Sequence, residues 1–122
     1  VTPFWQLLVS DFGARYVVFE FKHYASAIKQ GQVLTTEKYL YLAARRPVAI
    51  IISLEGPDAH AAETCRGALR EQGKLILNLT VNDMCEMLHA KDAASDLGPA
   101  ESIDPEETLF NVLDAMLMRI ER

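Results

Sequence analysis

A glutamate and a lysine two residues apart, Glu20 and Lys22, have the types and spacing to do chemistry together. In an extended strand alternate side chains point the same way, so Tyr16, Val18, Glu20, Lys22 and Tyr24 share one face. Val17, Phe19, Phe21 and His23 share the other. Two opposite charges then interrupt an otherwise apolar face. Desolvating such a pair is costly and adds little stability, so its presence points to a functional role. The plainer reading is a solvated strand end, because a Glu-x-Lys spacing also arises by chance.

Other chemistry-bearing residues carry less. Asp11 is the one carboxylate ahead of Glu20, but Asp11-Phe12-Gly13-Ala14 reads as a turn before the strand. At ~3.3 Å per residue a turn acid there is too far along the chain to share a metal with Glu20. Gln32 and Tyr39 fall on one side of the helical pattern that follows; helix surface and a core tyrosine account for them better than a place in the site does. His23 points away from Glu20 by alternation and reads as a packed histidine. His60 and His89 lack ligand spacing. Cys65 and Cys85 sit in helical stretches without a partner at metal-ligand spacing and read as buried thiols, so neither a disulfide nor zinc is expected. Gly67 to Lys74 imitates a phosphate loop, yet its spacing is wrong, Leu75 replaces the required hydroxyl, and it runs from helix to strand.

The elements that must position these residues are legible in the apolar pattern. Arg15 to Lys22, Pro47 to Ser53 and Lys74 to Thr80 are short β-branched or apolar runs bounded by turn signals, and are predicted as strands. Between them, Gln32 to Arg45 places Val33, Tyr39, Leu40 and Leu42 at near-helical spacing, and Asp58 to Gln72 places Ala61, Ala62, Cys65, Ala68 and Leu69 on one side. Each is predicted as a crossover helix. Gly73 suits a left-handed helix end, and Thr80 with Asp83 suits a capping box that opens a helix carrying Met84, Met87 and Leu88. A final helix is expected from a cap at Asp104 and a stripe of Leu109, Val112, Leu113, Met116, Leu117 and Ile120. The residues before it, including Asp96-Leu97-Gly98-Pro99, read as a long mobile loop. Strand, helix, strand, helix, strand is the pattern of an α/β fold with parallel pairing.

Residues Phe4 to Arg122 together resemble the restriction-endonuclease-like, PD-(D/E)xK nucleases. The likeness is carried by the Phe4-Trp5 segment, Phe19-Glu20-Phe21-Lys22-His23-Tyr24, Thr36-Glu37-Lys38-Tyr39-Leu40, Ala49 to Ser53, Leu69 to Leu77 and Leu113 to Met118. His23 stands where the resembling sequences usually carry Asn. The resemblance implies a three-layer core around a central mixed sheet with parallel strands and crossover helices. It implies Mg²⁺-dependent hydrolysis of DNA, with Mn²⁺ as a substitute ion. Glu20 and Lys22 are then catalytic, and Glu20 with the backbone carbonyl of Phe21 ligates the metal, the Phe21 side chain being core. The acid of the PD element is missing; it is expected on a strand upstream of Val1, with Phe4 to Ser10 leading back toward Glu20. Chain 1–122 is thus expected to be a single nuclease-like domain, the C-terminal portion of a larger protein with additional domains, and to have little activity alone. The alternative is a catalytically degenerate nuclease-fold domain serving as an interaction or dimerisation module, possible as a homodimer. A ligand-binding α/β domain of unrelated type lacks support, because neither a Gly-rich phosphate turn nor a nucleophile elbow is present.

Size and charge bound these readings. With 122 residues and half of them apolar, one domain and one core are expected. Twelve Lys and Arg against 17 Asp and Glu exclude a nucleic-acid binder working by overall charge, so any basic surface must be local. The apolar runs fall far below the ~20 residues that cross a bilayer, and no cleavable signal precedes them. No membrane role and a cytoplasmic location are expected.

Overall fold

The structure, a computed structural model, describes residues 2–23, 25–96 and 105–120. Helix α1 (Pro3–Phe12) begins with proline in its first turn, where the missing N–H had no partner to lose. It ends on Gly13 at φ 67, a left-handed conformation that favours glycine. Strand β1 (Val17–Lys22) follows, then α2 (Gln30–Glu37), β2 (Val48–Ser53), α3 (Ala59–Gln72), β3 (Leu75–Thr80), α4 (Val81–Asp96) and α5 (Glu107–Met118).

The three described strands form one sheet in the order β1-β2-β3. Both pairings are parallel, with Glu20 beside Ile51 and Lys22 beside Ser53. Of the mixed sheet implied by the resemblance, only this parallel part lies among the described residues. Strand alternation divides the core in two. Val48, Ile50, Ile52, Leu75, Leu77 and Leu79 pack with Phe4 and Leu8 of α1 and Leu109 and Leu113 of α5. Ala49, Ile51 and Ile76 pack with Val33 of α2 and Ala61, Cys65 and Ala68 of α3. Both crossover helices therefore cover one face, as crossovers of one hand require when the strand order advances in one direction. Three layers result, with Met116 of α5 touching both halves of the core.

Capping fixes where the crossovers begin and end. Asp58 accepts from the Ala61 N–H at 2.8 Å, and Gly73 closes α3 at φ 69. Thr80 and Asp83 exchange backbone-to-side-chain bonds of 2.9 and 3.1 Å, so β3 runs directly into α4.

Several expectations are corrected. The first crossover helix stops at Glu37 rather than Arg45. Beyond it Tyr41 and Arg46 form an antiparallel bridge, and Arg45 takes a left-handed φ of 58. Pro47 disfavours helical backbone at Arg46, and the Arg46 Nε donates to the Tyr39 carbonyl at 2.8 Å, so a tight hairpin replaces the last helical turns. Tyr39 and Leu42 are consequently exposed, while Leu40 is buried as its spacing required. Cys85 is exposed, because the α4 surface that meets the core carries Met84 and Met87. Asp96 belongs to α4 rather than to a loop; residues 97–104, with the expected Asp104 cap, lie outside the described residues, as does Tyr24.

Candidate active site on strand β1

Strand β1 lies at one edge of the described sheet, its even-numbered side chains facing the α2/α3 half and its odd-numbered ones the α1/α5 half of the core. Val18 packs against the α2/α3 half of the core, and Glu20 and Lys22 continue that face toward the strand's C-terminal end. Lys22 Nζ stands 3.0 Å from Glu20 Oε2, with the two side chains 14% and 22% exposed. The pair is too covered to be a freely hydrated surface contact and too open to be core.

A third residue holds it. Thr36, fully buried on the inner side of α2, donates its hydroxyl to Glu20 Oε2, and the Gln32 carbonyl lies 3.3 Å from the same hydroxyl. Gln32 in turn accepts from the Lys29 N–H at 2.7 Å through its side-chain oxygen, fixing the first turn of α2. Partial burial pushes the Glu20 carboxyl upward, but the Thr36 hydrogen bond, the Lys22 hydrogen bond and the Lys22 charge together outweigh it and hold the group below its ordinary value. Glu20 is thus an anion with one oxygen committed to Lys22 and Thr36. Thr36 was missed by sequence reasoning. Its signal was its place four residues after Gln32 and three after the core residue Val33, on the helix face that meets the sheet.

The remaining candidates are dispersed or exposed. Phe21, expected to be core, is 64% exposed, and Phe19 is 52% exposed with its ring 6.4 Å from Trp5. These odd-numbered side chains look toward the α1/α5 half, which packs chiefly on β2 and β3. His23 is exposed rather than packed. Asp11 is exposed in the last turn of α1, a helix that packs on the face opposite Glu20. Gln32 is half-buried and occupied by its cap; Tyr39 is 53% exposed beyond the end of α2. His60 sits on the outer face of α3 and His89 on α4, both exposed.

Among the described residues no group of three or more His, Cys, Asp or Glu could hold a metal ion. Glu20 and the Phe21 carbonyl alone do not fit a divalent cation that dehydrates reluctantly and prefers six oxygen ligands. No described helix is long and apolar enough to cross a membrane. No known protein family, curated protein or solved structure matches the chain.

Proposed function

We propose that the chain is a nuclease domain of the restriction-endonuclease-like type, hydrolysing DNA phosphodiesters with Glu20 and Lys22 as its catalytic pair. The observation that carries the reading is the Glu20–Lys22 pair on an edge strand of the described sheet, held by the hydroxyl of the buried Thr36. A buried hydroxyl bonded to a charge rigidifies that charge, and pre-set orientation is what a reacting group needs. Lys22 is placed to neutralise negative charge that builds on a phosphate in the transition state. Glu20 and the Phe21 carbonyl would supply part of the shell of a Mg²⁺ or Mn²⁺ ion, and a second carboxylate approaching across the open side of β1 would have to supply the rest. The α/β fold with its helix-covered parallel sheet agrees with this reading without requiring it.

The rival reading, a nuclease-fold domain without catalysis that binds partners, draws on the lone acid and on the exposed Phe19 and Phe21. Titrating Mn²⁺ into the chain while following cleavage of single- and double-stranded DNA separates the two. Weak cleavage that needs the ion, rises when a segment carrying the missing acid is restored, and disappears in Glu20→Gln with the fold retained by circular dichroism, is expected. Cleavage that survives Glu20→Gln would place the site elsewhere, and its absence even with the missing acid restored would favour the rival.

A further inference from the structure

The chain carries a net charge of −5, yet the fold gathers cations that are distant in sequence into one corner. Arg15 precedes β1, and the hairpin between α2 and β2 carries Arg45 and Arg46. The Arg15 and Tyr16 N–H groups both donate to the Arg45 carbonyl, at 2.9 and 3.0 Å. Arg15 and Arg45 line one hollow with Val9 and Gly13, and an Arg45 guanidinium nitrogen lies 3.5 Å from where a Cβ on Gly13 would stand. None of the three arginines is ion-paired among the described residues. The nearest acid in sequence, Asp11, is exposed and two residues from Gly13.

Aromatic rings accompany the charges. The Arg15 guanidinium lies 5.8 Å from the Tyr16 ring centre and that of Arg46 lies 5.4 Å from the Tyr41 ring centre. Tyr16, Tyr39 and Tyr41 are 55%, 53% and 55% exposed, so their rings are accessible to a partner. Arg45 is also the one non-glycine residue with positive φ among those described. Such a conformation is strained for a side chain with a Cβ and persists where the surroundings impose it.

We propose that this corner, formed by Arg15, Tyr16, Tyr41, Arg45 and Arg46, binds a single strand of DNA, the arginines taking phosphates and the tyrosines stacking on unpaired bases. Alternating cations and exposed rings match the two repeating parts of a single strand, a charge and a flat face, whereas a duplex hides its base faces. Arg15 lies five residues before Glu20, about 16 Å along β1, so one strand could span both places. That the polyanion is DNA rests on the reading of the Glu20 site; that it is a phosphate polymer with stackable rings rests on the corner alone.

Fluorescence anisotropy with a labelled oligothymidylate, in EDTA so that no cleavage intrudes, tests the proposal. The logarithm of the binding constant should fall with the logarithm of salt concentration with a slope near −2, about −0.7 for each of three neutralised phosphates. Arg15→Gln with Arg45→Asn and Arg46→Gln should flatten that slope. Asn tolerates the left-handed backbone at position 45, and Arg15→Lys should restore part of the slope. Tyr16→Ala or Tyr41→Ala should each weaken binding roughly tenfold while leaving the slope unchanged, since stacking releases no counterions. Circular dichroism and melting temperature establish that each variant is folded. Absence of binding at low salt, a slope indifferent to the arginine changes, or tighter binding of a duplex that ignores the tyrosine changes would each overturn the proposal. Binding that behaves as described with no cleavage under any ion, even with the missing acid restored, would sink the nuclease reading and leave this surface standing.

Discussion

Strands β1 and β2 are neighbours of equal length, paired residue for residue, and they have opposite characters. Every residue of β2 is buried, whereas β1 is half-buried throughout or exposed. The cause is position in the sheet together with helix cover, since β3, the other edge of the described sheet, is mostly buried beneath α3, α4 and α5. A central parallel strand is covered by helices on both faces and flanked on both sides, so its sequence reads as an unbroken apolar run, VAIIIS. An edge strand has one free side and, here, one thinly covered face, so it can carry a charged pair without desolvating it fully. The buried apolar side chains are concentrated in β2 and β3; the charged pair lies where burial is incomplete.

The largest effect expected from breaking this contrast is in the core. Leu77→Ala should lower unfolding free energy by about 2–5 kcal/mol, because Leu77 is fully buried between α1, α5 and β2. Phe21→Ala, at an exposed ring, should cost less than about 0.5 kcal/mol. Denaturant titration of the two variants decides it, and equal costs would mean that β1 is as structural as β3.

Next comes the link between the two regions. Thr36→Val keeps the shape but removes a hydrogen bond to a carboxylate, at an expected cost of about 1.5–3 kcal/mol, while Thr36→Ser should cost less. The pH dependence carries a second signature. Because the folded Glu20 carboxyl is held below its ordinary value of 4.5, its contribution is present above that value and is lost as the pH falls through the folded one. Thr36→Val should shrink that acid loss, measured as the change in denaturation midpoint on acidification; an unchanged midpoint curve would show that the hydroxyl does not stabilise the anion.

A smaller effect of opposite sign is expected on β3. Asn78 donates weakly to the Cys65 sulfur at 3.4 Å, and its buried Oδ1 has no partner among the described residues. Asn78→Leu should therefore be neutral or slightly stabilising, since an apolar side chain of similar shape removes an unsatisfied group. A clear loss of melting temperature would mean that the amide is satisfied after all.

The last contrast is one of reactivity. Burial pushes the Cys65 thiol up, against the hydrogen bond from Asn78, while Cys85 is exposed. Iodoacetamide should label Cys85 first and Cys65 only as the protein opens, and mass spectrometry of a time course reads the order directly. Prompt labelling of Cys65 would show that α3 is not firmly seated on β3.

What the sequence determined by itself was whatever depends on local pattern. The runs VVFEFK, VAIIIS and LILNLT became parallel strands because apolar residues bounded by turn signals with one helix between them leave little else to do. The Asp58 cap, the Gly73 left-handed end and the Thr80–Asp83 box are contacts within a few residues and were legible for that reason. Alternation alone put Glu20 and Lys22 on one face. Tertiary structure decided the rest, because burial depends on which element lies across the way. It left Phe21 and His23 exposed where alternation suggested packing, cut the first crossover helix at Glu37, and turned Cys85 outward. It brought Thr36 onto Glu20 across 16 positions of chain, and Arg15 onto Arg45 across 30. Neither meeting has a period or spacing to announce it; each exists only once the helix or hairpin has packed against the strand.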